Sequence, residues 1–212
     1  MKVEQDVLQK NDRLAAENRG WLRARGVTAF NLVSSPGSGK TTLLERTVRE
    51  AGLPATVIEG DQATDRDTQR IRAAGARAVQ INTGAGCHLD AHMVAHALED
   101  LDPERDSTVF IENVGNLVCP ALFDLGESAK VLVASVTEGD DKPYKYPHMF
   151  RAANLVLLNK IDLLEHVPFD ADRFAAALRE VNPRARLLHV SATRGDGLGA
   201  WYGFLRDRPT SA

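Results

Sequence analysis

The chain has 212 residues, with 26 Lys and Arg against 29 Asp and Glu and a formal net charge of −3. This near-balance excludes the strongly basic class that neutralises nucleic-acid phosphates with clustered cations, so no nucleic-acid partner is expected. A hydrophobic fraction of 43% and a charged fraction of 26% are those of an ordinary globular protein, and the length suits one domain with a short appendage. No uncharged apolar stretch approaches the roughly 18 residues that cross a bilayer. The mixed-charge N-terminus MKVEQDVLQKNDRL also lacks the apolar run of a signal peptide. No membrane partner and a cytoplasmic location are expected.

Residues 3–25 place Val7, Leu14 and Trp21 seven apart, shadowed by Leu8, Ala15 and Leu22, which predicts an amphipathic helix with that stripe packed inward. From Val27 onward, short apolar runs at 27–33, 55–58, 77–81, 107–111, 130–136, 154–158 and 186–190 predict seven strands. Helix-length segments at 41–51, 62–74, 88–100, 170–181 and 197–206 separate most of them. Runs that are apolar on both faces, alternating with helices, predict a mostly parallel sheet covered on both sides. The expected partition is an N-terminal helical extension over 1–26 and an α/β domain over 27–212. In such sheets ligands bind beyond the carboxyl ends of the strands, and the motifs fall there.

After the first strand stands Ser34-Ser35-Pro36-Gly37-Ser38-Gly39-Lys40-Thr41-Thr42, followed by helical LLERTVRE. This reads as a phosphate-binding P-loop. Residues Pro36 to Thr42 are small enough for backbone N–H groups to curl around phosphates, Lys40 neutralises the β/γ oxygens, and Thr41 offers a hydroxyl to Mg²⁺. Ser34 replaces the first glycine of the usual pattern. The fold class is therefore a P-loop NTPase.

At the end of the sixth strand, Asn159-Lys160-Ile161-Asp162 resembles the N-K-x-D element of GTP-binding proteins. There the Asp accepts from both the ring N–H and the exocyclic amine of guanine, a pair of donors adenine lacks. After the seventh strand, Ser191-Ala192-Thr193 resembles the element whose backbone N–H meets the guanine oxygen. The expected nucleotide is GTP, with GDP as product. Glu59-Gly60-Asp61 ends the second strand, and Glu112-Asn113-Val114-Gly115 ends the fourth as a variant D-x-x-G switch. Asp61 and Glu112 are expected to face the γ-phosphate, one holding Mg²⁺ with Thr41 and the other orienting water, roles the sequence leaves unassigned. With Lys40 they form the expected catalytic set; no arginine finger is identifiable.

Only two cysteines occur, too few for a disulfide scaffold. Gly84-Ala85-Gly86-Cys87-His88-Leu89-Asp90 follows the third strand, and Cys119 lies in Gly115-Asn116-Leu117-Val118-Cys119-Pro120 after the fourth. If those strands are neighbours, the loops meet. Cys87, His88 and Cys119 would then make a three-ligand set suited to Zn²⁺ or Ni²⁺, with a position open for water, a partner or transfer. A buried thiol and a capping histidine that merely pack are the alternative. His92 and His96 follow His88 at helical spacing and are expected to be peripheral.

The combination SSPGSGKTT, EGDQATDRD, GAGCHLDA, IENVGNLVCP, SVTEGDDKPYKYP, LLNKIDLL and SATRGDGL resembles the hydrogenase nickel-incorporation GTPase family, HypB, across residues 27–205. The resemblance implies a GTPase whose metal ligands match Cys87, His88 and Cys119 and whose GTP-bound form is a two-fold dimer with metal at the interface. It further implies a metallochaperone that works with a HypA-type zinc protein to load nickel into the large subunit of [NiFe] hydrogenase. The Cys-x-x-Cys-Gly-Cys and histidine-rich tracts of some members have no counterpart in residues 1–26. The alternatives are a urease-accessory nickel GTPase of the UreG kind, whose usual Cys-Pro-His site differs from the contiguous Cys87-His88, and a GTP-gated dimerising module with negligible turnover.

Overall fold

The computed structural model describes residues 2–61, 65–84 and 86–207. Seven strands run β1 (Thr28–Ser34), β2 (Ala55–Asp61), β3 (Arg77–Asn82), β4 (Thr108–Glu112), β5 (Ala129–Ser135), β6 (Leu155–Asn159) and β7 (Arg186–His189). Eight helices accompany them: α1 (Lys2–Ala24), α2 (Lys40–Glu50), α3 (Arg66–Ala74), α4 (Ala91–Leu101), α5 (Lys142–Lys145), α6 (Pro147–Ala152), α7 (Ala171–Val181) and α8 (Leu198–Arg206). All the expected strands form within a residue of their apolar runs except β2, which runs three residues past its run to Asp61. The short pair α5 and α6, each opened by a proline near its start, was too brief to register as a helical period. The first three positions of the helix expected from residue 62, together with Met1, Ala85 and 208–212, lie outside the described residues.

The sheet is parallel throughout, in the order β3-β2-β4-β1-β5-β6-β7. β1 lies between β4 and β5, so the chain winds outward in both directions from it, and the crevice at its carboxyl end is where this architecture binds ligands. Every residue of β1 is buried, and alternate side chains serve opposite layers. Phe30 and Leu32 join Leu43, Leu44 and Trp201 on the α2/α8 side, while Ala29 packs with Val94 and Leu98 of α4 on the other. The Trp201 indole N–H donates to Thr47 Oγ1 at 2.9 Å, which removes the cost of burying that polar group.

Helix α1 docks on a face that includes Ala15 and Leu22 of the expected stripe, with Trp21 partly buried against the core, but is turned away from Val7. Val7 is half exposed, whereas Asn11, Ala15, Asn18 and Leu22 form the buried stripe. The two asparagines are tolerated there because each is bonded across the interface. Asn11 donates to Asp124 O (2.8 Å) and accepts from Ala91 N (2.9 Å); Asn18 donates to Ala91 O (2.8 Å) and Leu125 O (3.1 Å). Arg19 adds a two-oxygen contact to Asp124, both at 2.7 Å. The helix therefore fastens the start of α4 and the 124–126 turn, both of which border the candidate site.

Candidate functional site

β1 ends at Ser34, and the chain turns through Gly37 (φ 75°) and Gly39 (φ 99°) into α2. Only glycine takes these conformations without strain. At Gly39 a β-carbon would also sit 2.6 Å from Asn159 Nδ2, so the glycine is needed twice over. The turn points backbone N–H groups and the N-terminus of α2 into a cavity of about 530 Å³ lined by Pro36 to Thr42, Gly60, Asp61 and Glu112 to Gly115, with Glu59, Asp67 and Arg70. This is the size and polarity of a polyphosphate site. Ser34, the residue that departs from the usual pattern, accepts a 2.7 Å bond from Lys40 Nζ. The hydroxyl thus holds the lysine, whose pKa burial lowers, partly offset by Glu112.

Opposite stands Glu112, buried at the end of β4. Its Oε1 accepts from Thr41 Oγ1 at 2.8 Å, and its Oε2 has no partner among the described residues. Burial raises the Glu112 pKa, with the Lys40 charge opposing. Glu59 is paired directly beside it across β2 and β4. Burial, and then the Glu112 charge, push Glu59 up to about 7, against a 3.0 Å bond from Thr68 Oγ1. A half-satisfied carboxylate beside a threonine hydroxyl on a phosphate loop has the donor chemistry of a hard-cation site, and a divalent ion would satisfy the orphaned oxygen. Thr41 and Glu112 thus fit Mg²⁺, and Asp61 lines the same cavity.

Of the cavity residues, Glu59 and Asp67 stood in a quoted motif without a role assigned to them, and Arg70 stood in none. Arg70 is the cation that no motif announced. It is tied to Glu45 (2.5 Å), Asp67 (3.2 Å) and Thr42 Oγ1 (3.2 Å) at the cavity edge. The only sequence signal was its place one turn after Arg66-Asp67 on α3. Lys142 was also missed; it reaches Ser35 Oγ at 3.1 Å from α5.

Asn159, Lys160, Asp162, Ser191 and Ala192 do not line this cavity but are bonded to its rim. Asn159 donates to Ser38 O (2.9 Å) and accepts from Ala192 N (3.0 Å), clasping the phosphate loop to the loop after β7. Lys160, with φ 62°, donates to Gly37 O at 2.7 Å, and Ser191 Oγ donates to Asp162 Oδ1 at 2.6 Å. The elements expected to read the base are therefore one hydrogen-bonded unit with the loop expected to hold the phosphates.

The thiols do meet, though not for the reason expected. β3 and β4 are not neighbours, because β2 lies between them. The loop after β3 instead runs back across the end of β2. Gly60 makes this possible, since a β-carbon there would lie 2.8–2.9 Å from three carbons of the fully buried Leu89 side chain. The crossing brings Cys87 Sγ to 3.0 Å from Cys119 Sγ and 3.5 Å from His88 Nδ1. One ligand atom from each of Cys87, His88 and Cys119 lies within 4.8 Å of the others, the one such group of three among the described residues. Both cysteines are free and half-buried. The Cys119 hydrogen bond raises the Cys87 pKa, and burial lowers that of His88. Asn116 Nδ2 donates to Cys87 O (3.2 Å), and Lys130 Nζ donates to Pro120 O (2.9 Å) and Phe123 O (3.1 Å), so both loops are braced. His92 and His96 lie outside the trio, exposed on α4.

Asn113 joins the two regions. It lines the phosphate cavity, and its Oδ1 accepts from Leu89 N at 3.1 Å, next to His88, and from Val114 N at 3.0 Å. Its Nδ2 reaches Asn31 Oδ1 at 3.4 Å, Asn31 donates to Glu127 (3.1 Å), and Glu127 lies 3.6 Å from Lys130.

A family model described as "CobW/HypB/UreG, nucleotide-binding domain" matches residues 28–189. The Rhizobium leguminosarum bv. viciae protein named hydrogenase maturation factor HypB is 60% identical over 207 residues, covering 97% of this chain and 69% of that protein. The Escherichia coli (strain K12) protein of the same name is 56% identical over 207 residues, covering 97% and 71%. A crystal structure of HypB from Helicobacter pylori in complex with nickel superposes with a TM-score of 0.89 at 39% identity, covering 94% of each chain.

Proposed function

The chain belongs to the HypB family within the CobW/HypB/UreG nucleotide-binding proteins, and from that membership we propose that it is a GTP-hydrolysing nickel carrier serving [NiFe] hydrogenase maturation. Its cargo is held by Cys87, His88 and Cys119. The observation that carries this reading is the Asn113 bridge, through which one side chain touches both the phosphate cavity and the backbone beside His88. In the GTP state Pro36 to Thr42 cradle the phosphates, Lys40 leaves Ser34 for the β/γ oxygens, and Asp162 accepts from guanine while Asn159 and the Ser191-Ala192 backbone fix the loops around it. Thr41 and Glu112, with Asp61 beside them in the cavity, would hold Mg²⁺, which would supply charge neutralisation at the phosphates. Arg70, positioned at the cavity edge, supplies the cation that transition-state charge requires within the chain itself.

A movement sensed at Glu112 passes along the seven-residue segment to Cys119 and through Asn113 to Leu89, so nucleotide state and metal affinity are linked in both directions. The exposed Val118 (59%) and Leu122 (57%) flank Cys119, which favours completion of the metal site by a second copy in the GTP-dependent dimer. The HypA-type zinc protein and the hydrogenase large subunit are the partners this role requires.

Single-turnover GTP hydrolysis tests the enzymatic part. Glu112→Gln and Asp61→Asn should each slow it by on the order of a hundredfold or more; wild type and variants that are equally and negligibly active would leave only a nucleotide-gated metal-binding module.

A further inference from the structure

Lys130 places a charge inside a strand that is otherwise free of them. Every residue of β5 is buried, and Ala129, Val131, Leu132, Val133 and Ala134 around the lysine are apolar. A buried ion pair adds little stability over apolar residues of the same volume, so stability alone does not account for a lysine here. Its backbone is locked to Asn154, whose Oδ1 accepts from Lys130 N at 2.8 Å and whose N–H donates to Lys130 O at 2.9 Å. From that fixed root, Nζ donates to Pro120 O at 2.9 Å and to Phe123 O at 3.1 Å. Glu127 Oε1 lies 3.6 Å from Nζ, beyond hydrogen-bond reach, and balances the charge. The carboxylate is itself held, Oε1 by Asn31 Nδ2 at 3.1 Å and Oε2 by Leu125 N at 2.7 Å.

Both carbonyls that Lys130 grips belong to the turn that carries Cys119. Cys119–Ala121 is a single 3₁₀ turn, closed by Leu122 N donating to Cys119 O at 3.1 Å. Pro120 directly follows Cys119, so anchoring its carbonyl anchors the chain next to the thiol. Phe123 leads to a different ligand. Its ring lies with its centroid 4.0 Å from that of His88, tilted by 42°, and this contact restricts rotation of the imidazole. One ammonium therefore governs two of the three residues of the trio by separate routes. The side chains of Lys130 and Glu127 are only 8% and 5% exposed, so water competes little for these charge-assisted bonds.

We propose that Lys130 is a positioning residue for the thiol and imidazole trio, setting Cys119 through the Pro120 carbonyl and His88 through Phe123. The proposal rests on the reading of Cys87, His88 and Cys119 as the nickel ligands. Lys130 touches neither the metal nor the nucleotide; it fixes the spacing of the ligands before the ion arrives, which spares nickel binding the cost of ordering them.

The test compares wild type, Lys130→Met and Phe123→Leu, full length and nucleotide-free, titrated with Ni²⁺ alone. Methionine keeps the buried stem and removes the donors; Phe123 is half-buried, so leucine there is tolerated by the fold. Each variant should bind nickel about 10–100-fold more weakly than wild type, the usual loss when a group that orients ligands is removed. GTP affinity, measured without nickel, should stay within about twofold, because the P-loop side of the fold is untouched. At saturating nickel, Phe123→Leu should keep the nickel–thiolate absorbance but lose imidazole scattering in the nickel X-ray absorption spectrum, whereas Lys130→Met should weaken both signals. A merely structural lysine would lower stability and leave the nickel spectra unchanged. Should Lys130→Met fail to bind GTP, and so to fold, Phe123→Leu decides. Either folded variant with wild-type nickel affinity and spectra overturns the positioning role. Wild type without a nickel–thiolate band refutes the assignment of the ligands themselves, a separate result.

Discussion

Replacing Asn113 with Ala removes a side chain that contacts both the phosphate cavity and the thiol loop. The Leu89 N–H, on a fully buried residue, loses its 3.1 Å acceptor, while Val114 N–H, on a half-buried residue, is rescued by water. An orphaned buried N–H costs about 1–3 kcal/mol. The loss of the weaker 3.4 Å contact to Asn31 and of the amide's own packing brings the total to roughly 2–4 kcal/mol. A folded protein with about 5–15 kcal/mol of stability survives this. With a urea dependence of about 2 kcal/mol/M, the unfolding midpoint should fall by roughly 1–2 M. The decisive assay is nickel titration of the GDP form and of the form bound to a non-hydrolysable GTP analogue. Wild type should give different affinities in the two states, and Asn113→Ala should bring their ratio close to one while nucleotide binding persists. A midpoint lowered by less than about 0.3 M, or a nickel affinity ratio left at the wild-type value, would refute the bridging argument.

Gly60→Ala forces a β-carbon against Leu89, which is too confined to swing away; it should cost about 1–3 kcal/mol by overpacking and weaken nickel binding more than GTP binding, as paired titrations would show. The Glu59 carboxyl, raised to about 7 in the folded nucleotide-free protein, contributes stability that is complete below its ordinary value of 4.5 and is lost as pH rises through about 7. The urea midpoint of wild type should therefore decline relative to Glu59→Gln between pH 5 and 8, and parallel curves would contradict the assignment. Cys87→Ala or Cys119→Ala should abolish nickel–thiolate absorbance while leaving GTP affinity within about twofold. In wild type that absorbance should fade with acidification, because both thiols must lose protons to ligate, and Cys87 holds its own more tightly through the Cys119 contact.

The seven strands and the phosphate loop were legible because each rests on local information: apolar runs of strand length, and small residues that free backbone N–H groups. The order of the strands was not local. Cys87 and Cys119 were expected to meet across neighbouring strands, yet β2 separates those strands and the meeting depends on Gly60 yielding room to Leu89, a pairing nothing in the sequence spacing encodes. The cavity roles of Arg70 and Glu59 were missed for a related reason. Each belongs to an element whose existence was foreseen but whose rotation toward the cavity is set by packing against its neighbours. The stripe of α1 was read only in part: Ala15, Leu22 and the partly buried Trp21 pack as expected, but Val7 is exposed and Asn11 and Asn18 are buried, because specific carbonyl partners reward an amide where a hydrocarbon would leave Asp124 and Ala91 unsatisfied.

Asn159 grips the backbone at Ser38 with one end of its amide and at Ala192 with the other, and Gly39 is cut away to admit it. The gap between the two grips is thereby fixed before any nucleotide arrives, like the jaws of a caliper locked at one setting. On the proposed reading, a guanine nucleotide would meet a base-side loop and a phosphate loop already set at one spacing, and the freedom to move is left to the acidic side of the crevice.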